Sequence, residues 1–109
     1  MAYDEGLAQR IRELVEEQPG FTEKVMFGGI GFMLQGNMAC GVIGDEMIVR
    51  LGQEQDEAAL AKPHTRHFDF TGKPMRGWVM VAADGYEADE DLAAWVQLGV
   101  DYALSLPEK

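Results

Sequence analysis

The 109-residue sequence predicts an α+β two-layer sandwich, in which a mainly antiparallel sheet of about six strands packs with helices in the order α-β-β-β-β-α-β-β-α. Three observations predict it. From Lys24 to Leu51, short apolar runs are separated by glycine-bearing turns at Gly28-Gly29, Gly36-Asn37 and Gly44-Asp45, and connections this short join antiparallel neighbours. Apolar residues recur at helical spacing near both ends of the chain. The strands therefore form a group set apart from the helices and do not alternate with them.

The first helix is carried by Leu7, Ile11, Leu14 and Val15, which fall on one helical face, with Arg10, Arg12, Glu13, Glu16 and Glu17 around the rest of the cylinder. Asp4 and Glu5 suit the positive end of its dipole, and Pro19-Gly20 stops it. Four strands follow near residues 24–27, 30–35, 38–43 and 46–51. Strict alternation places Met38, Cys40 and Val42 on one face and Ala39, Gly41 and Ile43 on the other. Both faces are small or apolar. Helices are thus expected on one side, with partial shielding of the other, for which a second copy of the chain is a candidate.

Gln53 to Ala61, rich in Gln, Glu and Ala and closed by Pro63, reads as a short helix. His67 to Phe70 and Trp78 to Ala82 read as further strands flanking the loop Thr71-Gly72-Lys73-Pro74-Met75-Arg76-Gly77. The last helix starts with Asp89 as N-cap, continues through Leu92, Trp95, Val96, Gly99, Ala103 and Leu106, and ends before Pro107. No repeat, low-complexity tract or linker interrupts residues 1–109, which read as one domain.

Composition narrows the function classes. No segment approaches the roughly 20 apolar residues of a membrane span, and the N-terminal residues lack the features of a signal peptide, so a cytoplasmic location is expected. The lone Cys40 allows no intrachain disulfide, in keeping with a reducing compartment. The net charge of −10 is concentrated at the ends: residues 1–23 carry −4, residues 24–76 are neutral and residues 77–109 carry −6. Such a field repels phosphate backbones, so direct nucleic-acid binding is disfavoured and only the middle segment offers local basic contacts.

The run Thr22-Glu23-Lys24-Val25-Met26-Phe27-Gly28-Gly29 after the first helix, then Phe32-Met33 and Gly36-Asn37-Met38, resembles the N-terminal domain of the TfoX/Sxy proteins. Met47-Ile48-Val49-Arg50, Asp69-Phe70-Thr71-Gly72-Lys73-Pro74-Met75-Arg76-Gly77-Trp78 and Leu92-Ala93-Ala94-Trp95-Val96 extend the likeness over nearly the whole chain. The resemblance implies a secretion-chaperone-like α+β fold and a relation to regulators of bacterial DNA-uptake competence that act with the cyclic-AMP receptor protein. Those regulators carry a helical C-terminal domain after this one, and the 109 residues correspond to the first domain alone. The resemblance supplies no catalytic residues.

Candidate sites can be weighed residue by residue. Cys40 is a conceivable nucleophile, but its apolar neighbours offer nothing to lower a thiol pKa, and a small core side chain is the expectation. His64, His67 and Asp69 form an H-x-x-H-x-D string; next to Pro63 and entering a strand, two histidines three apart point different ways, so no metal site and no Cys40-His67-Asp69 triad is expected. Gly28-Gly29-Ile30-Gly31 is followed by a strand, unlike a phosphate-binding loop, and turn geometry accounts for it. Among seven methionines, Met26, Met33, Met38, Met47, Met75 and Met80 are expected mainly to fill the core. The strongest candidate is an interaction loop formed by Gly72, Lys73, Arg76, Gly77 and Trp78, where two cations within four residues lie beside a large aromatic and glycines permit close approach to an acidic patch or anion.

These observations lead to a non-enzymatic regulatory or adaptor domain, cofactor-free, that meets a protein partner; by resemblance the partner is a transcription regulator such as the cyclic-AMP receptor protein, and a homodimer is a further expectation. The alternative is a small-molecule-binding protein or small enzyme using a pocket between sheet and helices, for which the strands offer the polar residues Gln35, Asn37 and Arg50.

Overall fold

A computed structural model describes residues 3–26, 28–69, 72 and 75–108. Helix α1 (Glu5–Val15) begins at Asp4, whose carboxylate accepts the Leu7 N–H at 3.0 Å, and buries Leu7, Ala8, Ile11 and Val15. Strands β1 (Phe21–Met26), β2 (Gly29–Leu34), β3 (Asn37–Ile43) and β4 (Glu46–Arg50) form the meander. A 3-10 turn (Gln53–Gln55) leads into α2 (Asp56–Leu60), then β5 (Thr65–Phe68), β6 (Met75–Val81), the short α3 (Ala83–Tyr86) and the long α4 (Asp89–Ser105).

The six strands make one antiparallel sheet in the order β1-β2-β3-β4-β6-β5, as the α+β sandwich requires. Several boundaries differ from the sequence expectation. The β2–β3 hairpin turns at Gln35-Gly36, both at positive φ (54° and 85°), and not at Gly36-Asn37. Asn37 is instead a buried strand residue whose Nδ2 donates to the Pro107 carbonyl at 3.0 Å, which ties the C-terminal residues to the sheet. Residues 53–61 divide into the 3-10 turn and α2, β5 and β6 start earlier than expected, and α3 was not foreseen. Asp89 is the first residue of α4 and pairs with Arg10 at 2.9 Å; the N-cap position belongs to Ala88.

The alternation in β3 is broken by a bulge. Phe32 pairs with Cys40 but Met33 pairs with Met38, which leaves Ala39 as the extra residue. The bulge sends Ala39, Cys40 and Val42 into the helix-side core and turns Met38 to the opposite face, so Met38 does not share a side with Cys40. α4 lies directly on this bulge: a Cβ at Gly99 would stand 2.3 Å from the Ala39 carbonyl oxygen, so only glycine permits the approach.

All the helices contribute to one core, with Phe32, Leu34, Met47, Val49, Val79 and Val81 from the sheet. The other face carries a second apolar cluster of Met38, Ile48, Phe68 and Met80, with Met26, Met33, Ile43, Met75 and Trp78 packed on it. No helix joins that cluster among the described residues. Of the six methionines singled out, Met47 alone is in the helix-side core, while the other five build the second face. Gly31 and Gly41 lie side by side in its middle, and the methyl ends of Met26 and Met38 occupy the space above them.

Candidate functional site

The candidate loop proves to be half strand. Met75 to Trp78 belong to β6; Gly72 is exposed at φ 86° with open space around it; Phe70, Thr71, Lys73 and Pro74 lie outside the described residues. The structure therefore brings Arg76, Gly77 and Trp78 together and places Gly72 near the loop's tip region in sequence only.

What positions these three residues is a break in register. His67 pairs with Val79 but Phe68 pairs with Met75, so Arg76, Gly77 and Trp78 have no partner on β5. Gly77, at φ 86°, aims its carbonyl at the end of β4, where it accepts from the Leu51 N–H at 2.9 Å and the Gly52 N–H at 3.2 Å. Its own N–H is taken by Asp56 Oδ1 at 3.0 Å, from the first residue of α2. Asp56 is 2% exposed. Its other oxygen lies 3.2 Å from His67 Nε2 and 3.8 Å from Arg76 Nε. One buried carboxylate thus clamps the bulge, a strand histidine and an arginine, and buried carboxylates persist where their lone pairs are satisfied in this way.

Trp78 turns to the helix-free face, 6.0 Å from the Phe68 ring, and is half-buried. On its other flank lies Arg50, whose guanidinium carbon sits 5.2 Å from the Trp78 ring centroid and 5.3 Å from that of Tyr102 on α4. Gly52, at φ 90°, leaves the space that the Tyr102 ring fills: a Cβ there would be 2.7 Å from Tyr102 Cε1. Arg50, Gly52, Gln53, Arg76, Gly77, Trp78 and Tyr102 enclose a recess of ≈ 150 Å³.

The remaining candidates resolve simply. Cys40 is fully buried and desolvation pushes its thiol up to about 12, which leaves no thiolate for nucleophilic chemistry. The carboxylate beside His67 is Asp56, while Asp69 binds Arg66 at 3.2 Å, so Cys40, His67 and Asp69 form no triad. His64 is exposed at φ 67°. Among the described residues no three His, Cys, Asp or Glu side chains are placed to hold a metal ion. Gln35, Asn37 and Arg50 do not converge: Gln35 is in a turn, Asn37 is bonded to Pro107, and Arg50 alone lines a recess. No helix is long and apolar enough to cross a membrane among the described residues.

Sequence inspection missed Asp56, Arg50 and Tyr102 as neighbours of the bulge. Asp56 is the first residue of α2, and its contact with Gly77 spans 21 residues of sequence, beyond the reach of local spacing.

The fold and site define a class: an open six-stranded antiparallel sheet with, among the described residues, helices packed on one face and a carboxylate-clamped bulge at Arg76–Trp78. The chain belongs to the TfoX N-terminal domain family, whose family model matches residues 13–103. No curated protein and no solved structure gives a significant match to it.

Proposed function

We propose that this chain is a non-enzymatic regulatory or adaptor domain, related to the competence regulators of its family, that acts by contacting another protein through the helix-free face of its sheet. The observation that carries the proposal is the composition of that face: five methionines, Ile43, Ile48, Phe68 and Trp78, over a floor that contains Gly31 and Gly41. Methionine is unbranched and polarizable, and surfaces built from it adapt to apolar partners. Met38, Ile48, Phe68 and Met80 are themselves buried, and what the face offers a partner is the half-buried layer of Met26, Met33, Ile43, Met75 and Trp78 around them. Family membership supports a transcription regulator, of the cyclic-AMP receptor protein type, as the partner; a second copy of the chain is the other occupant the face suits.

The enclosed thiol of Cys40 and the engagement of His67 by a structural carboxylate support a contact role over an enzymatic one. Co-purification with tagged protein at low and high salt tests the proposal. One stoichiometric protein is expected with the wild type, lost with Met33→Glu on the helix-free face, and retained with Val25→Glu, which is 73% exposed on the opposite side of β1. The double variant Lys73→Glu, Arg76→Glu reports whether the loop contributes. Recovery of the same protein by all variants, or of none by the wild type together with a monomeric mass in solution, overturns it.

A further inference from the structure

The arginines of this acidic chain are almost all matched to carboxylates. Arg10 pairs with Asp89, Arg12 with Glu23, Arg66 with Glu46 and Asp69, and Arg76 approaches Asp56 at 3.8 Å. Arg50 is the exception: among the described residues it has no acidic partner, although the sequence holds 19 acidic side chains against nine basic ones. Its guanidinium lies instead over the rings of Trp78 and Tyr102, 5.2 Å and 5.3 Å from their centroids. Aromatic rings occupy the faces of a guanidinium and leave the N–H edge, which is the part that binds carboxylate or phosphate in a forked geometry. Arg50 also lines the ≈ 150 Å³ recess together with Arg76.

We propose that this recess is a binding site for the anionic head, phosphate or carboxylate, of a small molecule, with Arg50 as its principal ligand-binding residue and Arg76 as the second cation. The volume accommodates a head group and little else. The rest of the molecule has a place next to it: a second recess of ≈ 630 Å³ shares Gly52, Gln53 and Tyr102 with the first and continues along Glu54, Asp101 and Ser105. That lining is polar and apolar in about equal measure and carries two carboxylates, Glu54 and Asp101. The site therefore selects a single anionic head followed by a polar or cationic tail and disfavours molecules with an anion at each end. A net charge of −10 disfavours non-specific anion binding, so saturable anion binding reports a local site. Contact through the sheet face neither requires nor excludes this ligand.

Titration calorimetry with four probes tests the site. Phosphoethanolamine and 4-aminobutyrate each join one anionic head to a cationic tail and separate phosphate from carboxylate recognition; pyrophosphate and succinate carry charge at both ends. At least one of the first pair is expected to bind one-to-one with a Kd of about 1 mM or tighter, and more tightly than its doubly anionic counterpart. Arg50→Lys, which keeps the charge and loses the planar fork, should weaken binding at least about tenfold, while Arg12→Lys leaves it unchanged. Arg76→Gln provides a second reading if Arg50→Lys unfolds, with a loss of about fivefold or more expected. Failure of all four probes to saturate, or binding unchanged in the folded Arg50 variant or in the Arg76 variant, overturns the proposal.

Discussion

Asp56 replaces a strand partner for Gly77: its Oδ1 accepts the Gly77 N–H at 3.0 Å at the point where β5 and β6 fall out of register. A buried amide without an acceptor is costly, so this carboxylate is what allows Arg76 to Trp78 to leave the ladder and face the end of β4.

Removal of the clamp should destabilise the fold in proportion to what is left unpaired. Asp56→Ala strands the Gly77 N–H and is expected to cost about 2–3 kcal/mol. Asp56→Asn keeps an acceptor for Gly77 and can donate its amide to His67 Nε2, so about 1–2 kcal/mol is expected. Urea unfolding of the three proteins gives the order wild type, Asn, Ala; equal stability of Ala and wild type would contradict the role assigned to Asp56.

Two glycines with the same backbone conformation should respond differently to alanine. Gly72 and Gly77 both have φ 86°, but an added Cβ meets nothing within 4 Å at Gly72 and lies 3.0 Å from the Gln53 nitrogen and the Gly52 carbonyl carbon at Gly77. Gly72→Ala should cost about 1 kcal/mol for the left-handed conformation alone, and Gly77→Ala at least about 1 kcal/mol more for the close contact. The difference between their denaturation midpoints is the measurement.

Gly99→Ala sets helix propensity against packing. Alanine favours a helix over glycine by about 1 kcal/mol, yet here its methyl would stand 2.3 Å from a backbone oxygen that the bulge at Ala39 holds in place. A net destabilisation of about 2 kcal/mol is expected by thermal unfolding, and a neutral or stabilised variant would show that α4 can lift off the bulge.

Acid should weaken the tie between α1 and β1. Arg12 holds both oxygens of Glu23, with Nε–Oε2 at 2.6 Å and Nη2–Oε1 at 2.7 Å. This hydrogen bonding draws the Glu23 carboxyl below its usual range and raises the Arg12 guanidinium. A lowered folded pKa means that the stabilisation is present above the unfolded carboxylate pKa of about 4.3 and is lost as pH falls through the folded value. Glu23→Gln should therefore cost about 0.5–1 kcal/mol at neutral pH, with the difference from wild type shrinking in acid. A gap that stays constant with pH would rule out this coupling.

Cys40 should react only when the fold opens. A fully buried thiol pushed up to about 12 is un-ionised at mild alkaline pH, so labelling by a disulfide reagent should follow the unfolding rate and show no fast phase. Rapid stoichiometric labelling of the native protein would overturn this.

Much of the architecture was legible in the chain because its signals are local. The periodicity of Leu7, Ile11 and Val15 requires neighbours only a few residues apart, and the glycines between apolar runs announce hairpins without reference to the rest of the fold. Errors arose where one residue shifts a register. The turn at Gln35-Gly36 moved Asn37 into a strand, and the bulge at Ala39 put Met38 and Cys40 on opposite faces. Alternation identifies two faces but not which one the helices choose, so Met38 and Met80 are buried as expected, but in a second cluster on the side of the sheet away from the helices, with Met26, Met33 and Met75 half-buried around them.

The sequence by itself determined the fold class and the family, since both rest on composition and on spacing between near neighbours. Only the tertiary structure decided that Asp56 fills the gap in the segment Arg76 to Trp78, that Arg50 lies over Trp78 and Tyr102, and that one sheet face carries no helix among the described residues. Those relationships join residues far apart in the chain through a broken strand register and a helix crossing. Both are set by the packing of the whole core, which no local pattern encodes.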